Sequence, residues 1–330
     1  MEKIHMSYIT ALAIGVTALS YALWKWSEQR KLPTKWCKLG ELSDILVYPV
    51  KSLGYIRETE VECTQLGCKK GWLRDRTLMV INLTDRFVTA RKYPRMVLVT
   101  PTIEGSILTL RAPGLIDISI DLAYVSSKKL KVVIWDQATP ACDCGDKVAR
   151  WLSQFLLQED SGLRLVYYPL EKPSRDARKH NQGFPLVTNA HIGVFSDETS
   201  FSLMNQASID DLNTRMKERI PSLQFRLNFL VKGPAALEED SWEWVKIGAV
   251  TFRNIRPCTR CLLTTIHPEK GEKNREMEPV ATLRKYRKVQ DPAMRRFTGE
   301  SPVMGIHLGL HGPEGTVKIG DPVYVGVSKA

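Results

Sequence analysis

Short strands succeed one another through the first part of the chain, and this succession limits the fold more than any other feature. From Leu42 to Ile134 the apolar stretches are mostly brief. Between Ile116 and Ile120 apolar and polar residues alternate, which is the period of a strand with one buried face. Glu104 and Gly105 give a turn signal between two further apolar stretches, as in a hairpin. Many short strands in sequence predict an antiparallel barrel or sandwich.

Helical patterns appear later in the chain. Apolar residues recur at helical spacing along Asp146–Gln158, which predicts an amphipathic helix. Ser208, with Asp211 three residues later, resembles the capping box at the start of a second helix. The combination of many strands with a few helices predicts a β-rich α+β protein.

A basic stretch without apolar periodicity, Lys172–Gln182, predicts a loop between domains. We therefore expect three parts. Residues 1–35 are an N-terminal anchor and linker, residues 36–172 a β-rich domain, and residues 173–330 a second domain that carries the chemistry.

The N-terminal segment is the most apolar part of the sequence. Met6–Trp26 contains one charge, Lys25, and is about as long as a bilayer-spanning helix. Aromatic residues lie near both of its ends, and the residues that follow it are predominantly basic. A cleaved signal peptide or a buried helix would be the alternatives. The pattern favours a single uncleaved transmembrane helix, with the rest of the chain on the cytosolic side.

Composition limits the class of partner. The formal net charge of +11 predicts an anionic partner, which includes acidic proteins and phosphate-bearing ligands. No zinc finger, RRM or helix-turn-helix signature accompanies this charge, so we expect no nucleic-acid partner. Seven cysteines are spread thinly over 330 residues, which predicts a reducing compartment.

One C-x-x-C pair, Cys258 and Cys261, is the strongest chemical signal. Neighbouring Arg260 favours a thiolate, which is a nucleophile and a soft metal ligand. The pair could also be half of a zinc site completed by Cys142 and Cys144 or by His267, a redox pair, or two core cysteines. The leucines that follow it predict that the thiol lies at the start of a buried strand.

Several basic residues lie at predicted strand ends or turns. Lys51 and Ser52 offer an ammonium and a hydroxyl suited to phosphate, although no Walker loop precedes them. Arg76, Arg226 and Arg260 are similar in position, and each of them alone would be ordinary surface charge.

Six motifs, taken in order, resemble the MOSC-domain family and in particular its amidoxime-reducing branch. They are VYPVKS at 47–52, LRDR at 73–76, TARKYPR at 89–95, FRLN at 225–228, CTRCLLTT at 258–265 and GDPVY at 320–324. The resemblance extends from about Leu42 to the C-terminus. It implies an N-terminal β-barrel-like domain and a C-terminal MOSC domain, preceded here by the predicted transmembrane helix.

The resemblance also implies a molybdenum cofactor, Mo-molybdopterin, whose pterin carries a phosphate and chelates the metal through a dithiolene. In the family the second cysteine of the C-x-x-C motif ligates the metal, so this catalytic role carries over to Cys261. Glu198 stands where the family has a small hydroxyl residue, and His307 where it can have Tyr. The cofactor contacts that carry over beside Cys261 are Lys51, Ser52, Arg76, Thr199, Arg226, Asn228, Thr259, Arg260 and His307.

The activity that the resemblance implies is reduction of small N-hydroxylated compounds: amidoximes, hydroxylamines and N-hydroxyguanidines. Electrons would come from NADH through cytochrome b5 reductase and cytochrome b5. The implied location is the mitochondrial outer membrane, crossed once, with the C-terminal body facing the cytosol. The competing hypothesis is a membrane-anchored zinc-binding or adaptor protein that uses Cys258 and Cys261.

Overall fold

The computed structural model describes residues 32–125 and 129–327. The strands are β1 (Lys35–Val47), β2 (Ile56–Glu58), β3 (Glu60–Thr64), β4 (Gly67–Lys70), β5 (Leu73–Arg74), β6 (Leu78–Asn82), β7 (Thr100–Glu104), β8 (Ile107–Arg111), β9 (Ile118–Asp121), β10 (Lys129–Ile134), β11 (Gln137–Asp143), β12 (Leu163–Tyr167), β13 (Phe201–Asn205), β14 (Phe229–Lys232), β15 (Trp244–Ile247), β16 (Val250–Thr259), β17 (Val303–His311), β18 (Gly315–Lys318) and β19 (Pro322–Val327). The α-helices are α1 (Asp146–Leu157), α2 (Gln206–Thr214), α3 (Val280–Tyr286) and α4 (Pro292–Thr298). This composition confirms the predicted β-rich α+β class.

The largest sheet has eight strands in the order β14-β13-β17-β16-β15-β19-β1-β2. Strand β1 also pairs with β14, which closes all of these strands except β2 into a ring. Closure leaves no free edge along the ring and encloses a core in which Phe201, Phe229 and Phe252 pack against one another. Only β13 and β14 run parallel within it.

Strand β1 comes from the N-terminal segment, yet it pairs with β14 and β19 from the C-terminal half. The two predicted domains therefore share a sheet, and the boundary at residue 172 stays a prediction. The other sheets have the orders β10-β11-β12-β6, β18-β3-β4-β5 and β7-β8-β9. Helix α1 packs its apolar face against residues of β6, β8 and β12, and its Trp151, Leu152 and Phe155 are buried there.

The predicted helix at Asp146–Gln158 is confirmed over Asp146–Leu157, and its C-cap residue Gln158 has the left-handed conformation. The predicted capping box at Ser208 is wrong. Helix α2 begins at Gln206, and Asn205 caps it by accepting the backbone N–H of Ala207. Ser208 is instead buried inside the helix, where its hydroxyl donates to Glu239 at 2.8 Å.

The predicted fold class is wrong in its transmembrane helix. The segment concerned, Met6–Trp26, lies outside the described residues. Within 32–125 and 129–327, no helix is long and apolar enough to cross a membrane. Helix α1, with 12 residues, is the longest there, and at about 1.5 Å per residue it falls well short of the ~30 Å hydrocarbon core.

The prediction of a buried strand after Cys261 is also wrong. The strand comes before the thiol, because β16 ends at Thr259, two residues earlier. A 3₁₀ helix, Leu262–Thr265, follows, with Cys261 as its N-cap residue and Leu262 exposed. Gly305 allows β17 to lie close to the neighbouring strand β13, since a Cβ at this position would meet the Leu203 carbonyl oxygen at 2.5 Å.

Candidate functional site

A cavity of about 240 Å³ opens where β16 and β17 approach the loops at residues 51–52, 196–199 and 225–228. All the residues predicted to bind the cofactor line this cavity: Lys51, Ser52, Arg76, Thr199, Arg226, Asn228, Thr259, Arg260, Cys261 and His307. Residues as far apart in sequence as Lys51 and His307 thus line the same cavity. Their individual roles remain predictions.

Strained backbone marks three of these residues. Ser52, Arg76 and Arg226 have φ angles of 70°, 51° and 54°, in the left-handed region that residues other than glycine seldom adopt. Such conformations persist only where the surrounding structure enforces them, and they are concentrated at functional sites. Three of them around one cavity indicate a site built for binding.

Cationic side chains form the inner wall. The guanidinium carbons of Arg76 and Arg226 lie 4.8 Å and 4.2 Å from the centre of the buried Tyr48 ring, which orients both groups. Asp75 pairs with Arg76 and also accepts the Asn228 side-chain amide at 3.1 Å. Burial lowers the pKa of Arg226 to about 10. At neutral pH this wall therefore remains positively charged and suits an anionic ligand.

Lys51 is buried at the end of the cavity. Its ammonium donates to the Phe195 carbonyl at 2.9 Å and to the Asp197 carboxylate. Burial lowers the pKa of Lys51 to about 8, although Asp197 opposes this effect. Ser196 also lines the cavity, and its buried hydroxyl oxygen has no hydrogen bond among the described residues. A cavity that offers both an unpartnered hydroxyl and an ammonium group fits a phosphate-bearing ligand.

The two cysteines occupy different environments. Cys261 is exposed at the cavity wall, whereas Cys258 is buried. Burial opposes ionisation of Cys258, but Arg260 and His307 outweigh it and lower the pKa of this thiol below its ordinary value. The guanidinium of Arg260 is itself engaged, because it donates to the carbonyls of Met304 and Phe225. Arg260 therefore holds the loop in place as well as lining the cavity.

The Glu198 carboxylate is neutralised by its neighbours. Arg256 lies 3.1 Å from one of its oxygens and His307 lies 2.9 Å from the other. Thr259 donates to it more weakly, at 3.4 Å. Burial opposes the charge on His307, but Cys258 and Glu198 raise the pKa of His307 to about 9. Glu198, which stands in place of a small hydroxyl residue, therefore adds no uncompensated negative charge to the cavity.

A zinc site at the cysteine pair is not found. In the part of the chain that the structure describes, no group of three or more His, Cys, Asp and Glu side chains is placed to hold a metal ion. Cys142, Cys144 and His267 do not line the cavity. The residues that line the cavity fit the molybdenum cofactor better, because this cofactor contains its own dithiolene sulfurs and needs only one thiolate from the protein.

Several cavity residues lie outside the predicted set, and three of them have side chains that bear on the chemistry. Arg91 lies in the TARKYPR motif, which is a signal that could have found it. Asp197 follows Ser196 in a loop, where the local pattern indicates only a turn. Trp135 lies at the tip of the hairpin between β10 and β11, and no local pattern distinguishes it from a core tryptophan.

Two family models match the chain. Residues 39–159 match the MOSC N-terminal beta barrel domain, and residues 191–324 match the MOSC domain. The chain is 34% identical over 323 residues to the human protein named mitochondrial amidoxime-reducing component 1, covering 96% of this chain and 93% of the relative. The mouse protein of that name is 34% identical over 318 residues, covering 96% and 91%. Mitochondrial amidoxime reducing component 2 of Bos taurus is 36% identical over 288 residues, covering 87% and 83%.

Solved structures resemble the chain more weakly: the YUAD protein of Bacillus subtilis aligns at 10% identity with a TM-score of 0.39, over 89% of this chain and 100% of its own. The sequence relatives and the family models extend over both halves of the chain and over every motif around the cavity. The chain therefore belongs to the MOSC-domain family, in its branch of amidoxime-reducing components.

Proposed function

We propose that this protein is a molybdenum-cofactor-dependent oxidoreductase that reduces N-hydroxylated compounds. The observation that carries the proposal is the convergence of Cys261 with the cations Lys51, Arg76 and Arg226 around one cavity. A soft thiolate and several phosphate-binding donors are the groups that this cofactor requires of a protein. The reaction that we propose follows from the names of the relatives, which are amidoxime-reducing components.

Different residues would bind different parts of the cofactor. Lys51, Arg76 and Arg226 would hold its anionic phosphate and pterin, and Asn228 and Thr259 would contribute polar contacts. Cys261 would supply the single protein sulfur for the metal, which its exposed position at the cavity wall permits. When bound, the cofactor supplies two-electron reduction.

The proposed reaction breaks an N–O bond. Two electrons and two protons enter, the hydroxyl oxygen leaves as water, and an amidoxime becomes an amidine. Hydroxylamines and N-hydroxyguanidines would follow the same balance. The half-exposed cavity mouth, where Asp197 is 43% exposed, allows small substrates to enter.

The electron source completes the proposal. We propose that electrons pass from NADH through cytochrome b5 reductase and cytochrome b5, for which the net charge of +11 would favour an acidic donor. A mitochondrial location, at the outer membrane with the domains facing the cytosol, is part of the proposal. The names of the relatives support the mitochondrial part of this location.

The test uses the purified full chain. Molybdenum, zinc and pterin contents would be measured together with reduction of benzamidoxime by a chemical electron donor. We expect molybdenum and pterin in equal amounts and formation of benzamidine. Stoichiometric zinc without molybdenum would contradict the proposal and favour the zinc-binding adaptor instead.

A further inference from the structure

A strained hairpin tip projects into the mouth of the cavity. Ile134 pairs with Gln137, so Trp135 and Asp136 form a two-residue turn between β10 and β11. Their φ angles are 48° and 61°, which is the pattern of a type I′ turn. This turn is usually made by Asn-Gly, because bulky residues seldom adopt the left-handed backbone. A tryptophan at this position indicates that the indole is required where the turn places it.

The indole ring is fixed from two sides. The Phe87 ring centre lies 5.1 Å from the Trp135 ring centre at an angle of 51°. The Arg91 guanidinium carbon lies 5.1 Å from the same ring centre. The indole N–H then donates to the Asp197 carboxylate oxygen Oδ1 at 3.0 Å. Trp135 therefore lines the cavity and also holds Asp197 through this hydrogen bond.

The two oxygens of the Asp197 carboxylate differ in their hydrogen-bond partners. Oδ1 accepts hydrogen bonds from both Lys51 and Trp135. Oδ2 carries no hydrogen bond among residues 32–125 and 129–327, and the side chain is 43% exposed in the cavity wall. Lys51 and Arg91 keep the carboxylate ionised, and the pKa of Asp197 is about 2 although burial opposes this. One charged oxygen is thus fixed by two donors while the other is left to accept hydrogen bonds from a ligand.

We propose that Trp135 is a positioning residue that aims Asp197 at the N–H groups of the substrate. The cavity would then prefer N-hydroxyamidines and N-hydroxyguanidines, which carry N–H donors beside the N–O bond, to N-oxides, which carry none. A site built to accept a substrate N–H discriminates strongly against analogues that lack it, because its own polar group is left unpaired. This inference rests on the proposed function and names the preferred substrate class.

The test compares Trp135→Phe with wild type in the full chain with its cofactor. Phenylalanine retains a ring between Phe87 and Arg91 but has no N–H for Asp197. Reduction of benzamidoxime and of an aromatic N-oxide is measured with a chemical electron donor. Binding of benzamidine, an amidine that is not reduced, is measured separately by calorimetry.

We expect Trp135→Phe to raise KM for benzamidoxime and Kd for benzamidine about tenfold, as for one hydrogen bond to a charged group. Kinetics with the N-oxide should stay within about twofold of wild type. Asp136→Asn is the matched control, because Asp136 lies in the same turn with an 83% exposed side chain directed to Arg86. This control should resemble wild type in every measurement.

Three results would overturn the inference: equal losses with both substrates, no change with either, or an Asp136→Asn effect as large as that of Trp135→Phe. Wild type that reduces neither substrate would instead refute the proposed function. In that case weaker benzamidine binding by Trp135→Phe would still support recognition of amidines by Asp197, and unchanged binding would refute it.

Discussion

The imidazole Nε2 of His307 lies 2.9 Å from the Oε2 atom of Glu198. The other ring nitrogen, Nδ1, lies 2.7 Å from the Thr199 hydroxyl, which already donates to the Phe201 carbonyl at 3.0 Å. The hydroxyl must therefore accept from Nδ1–H. With a carboxylate facing Nε2 as well, the ring is an imidazolium, in agreement with its pKa of about 9.

The first prediction concerns pH. Because the folded pKa of His307 lies above its ordinary value of 6.5, its contribution to stability is complete below about pH 6.5 and is lost as pH rises through about 9. We expect the difference in unfolding free energy between wild type and His307→Gln to shrink by about 1–3 kcal/mol from pH 6 to pH 10. Urea unfolding at several pH values measures it, and a difference independent of pH would contradict the prediction.

The second prediction separates the two cysteines. Cys261→Ser replaces a soft thiolate by a harder oxygen, so reduction of benzamidoxime should fall by on the order of 100-fold while the pterin remains bound. Cys258→Ser is the matched control and should keep activity within about tenfold, with a cost in packing. Turnover with a chemical donor and molybdenum and pterin contents are measured for both. A fully active Cys261→Ser would refute the assignment of the metal ligand.

The third prediction concerns the cationic wall. Arg226→Met removes a half-buried guanidinium that lies over Tyr48 and should lower pterin content by on the order of tenfold without unfolding the protein. Arg219→Met removes a charge with a 74% exposed side chain and should have no such effect. Pterin content and melting temperature distinguish loss of the cofactor from loss of the fold. Normal pterin content in Arg226→Met would show that this arginine does not hold the cofactor.

The fourth prediction concerns the electron donor. Turnover supported by cytochrome b5 should slow as salt rises, because the screening length falls to about 8 Å near physiological ionic strength. Turnover with an uncharged chemical donor should change little and serves as the control. The basic stretch Lys172–Lys179 is a candidate contact. Equal salt dependence with both donors would remove the case for electrostatic docking.

The fifth prediction concerns the hairpin tip. Asp136 has a φ of 61°, which glycine adopts without steric cost. Asp136→Gly should therefore be more stable than Asp136→Ala by about 1 kcal/mol, since both lose the same exposed carboxylate and only alanine keeps the strain. Urea unfolding of the two variants measures this difference. An alanine variant as stable as the glycine variant would show that the turn is not strained.

Local patterns in the chain are enough to identify much of the fold. Alternating apolar residues predict strands, and helical spacing predicts the helix at Asp146–Gln158, which is confirmed. The motif residues predicted to bind the cofactor all line the same cavity. These features are accessible because strand period, helix period and motif identity are properties of consecutive residues.

The way in which distant segments meet depends on tertiary contacts, which no local pattern encodes. Ring closure between β1 and β14 depends on pairing between segments far apart in the chain. The predicted Ser208 capping box is wrong because burial against Glu239 outweighs a local hydrogen-bond pattern. Trp135 joins the site only because its strained turn brings the indole to Asp197, 62 residues away. Order along the chain sets which residue types and elements are available, whereas folding in three dimensions sets which of them share charge, hydrogen bonds and a cavity.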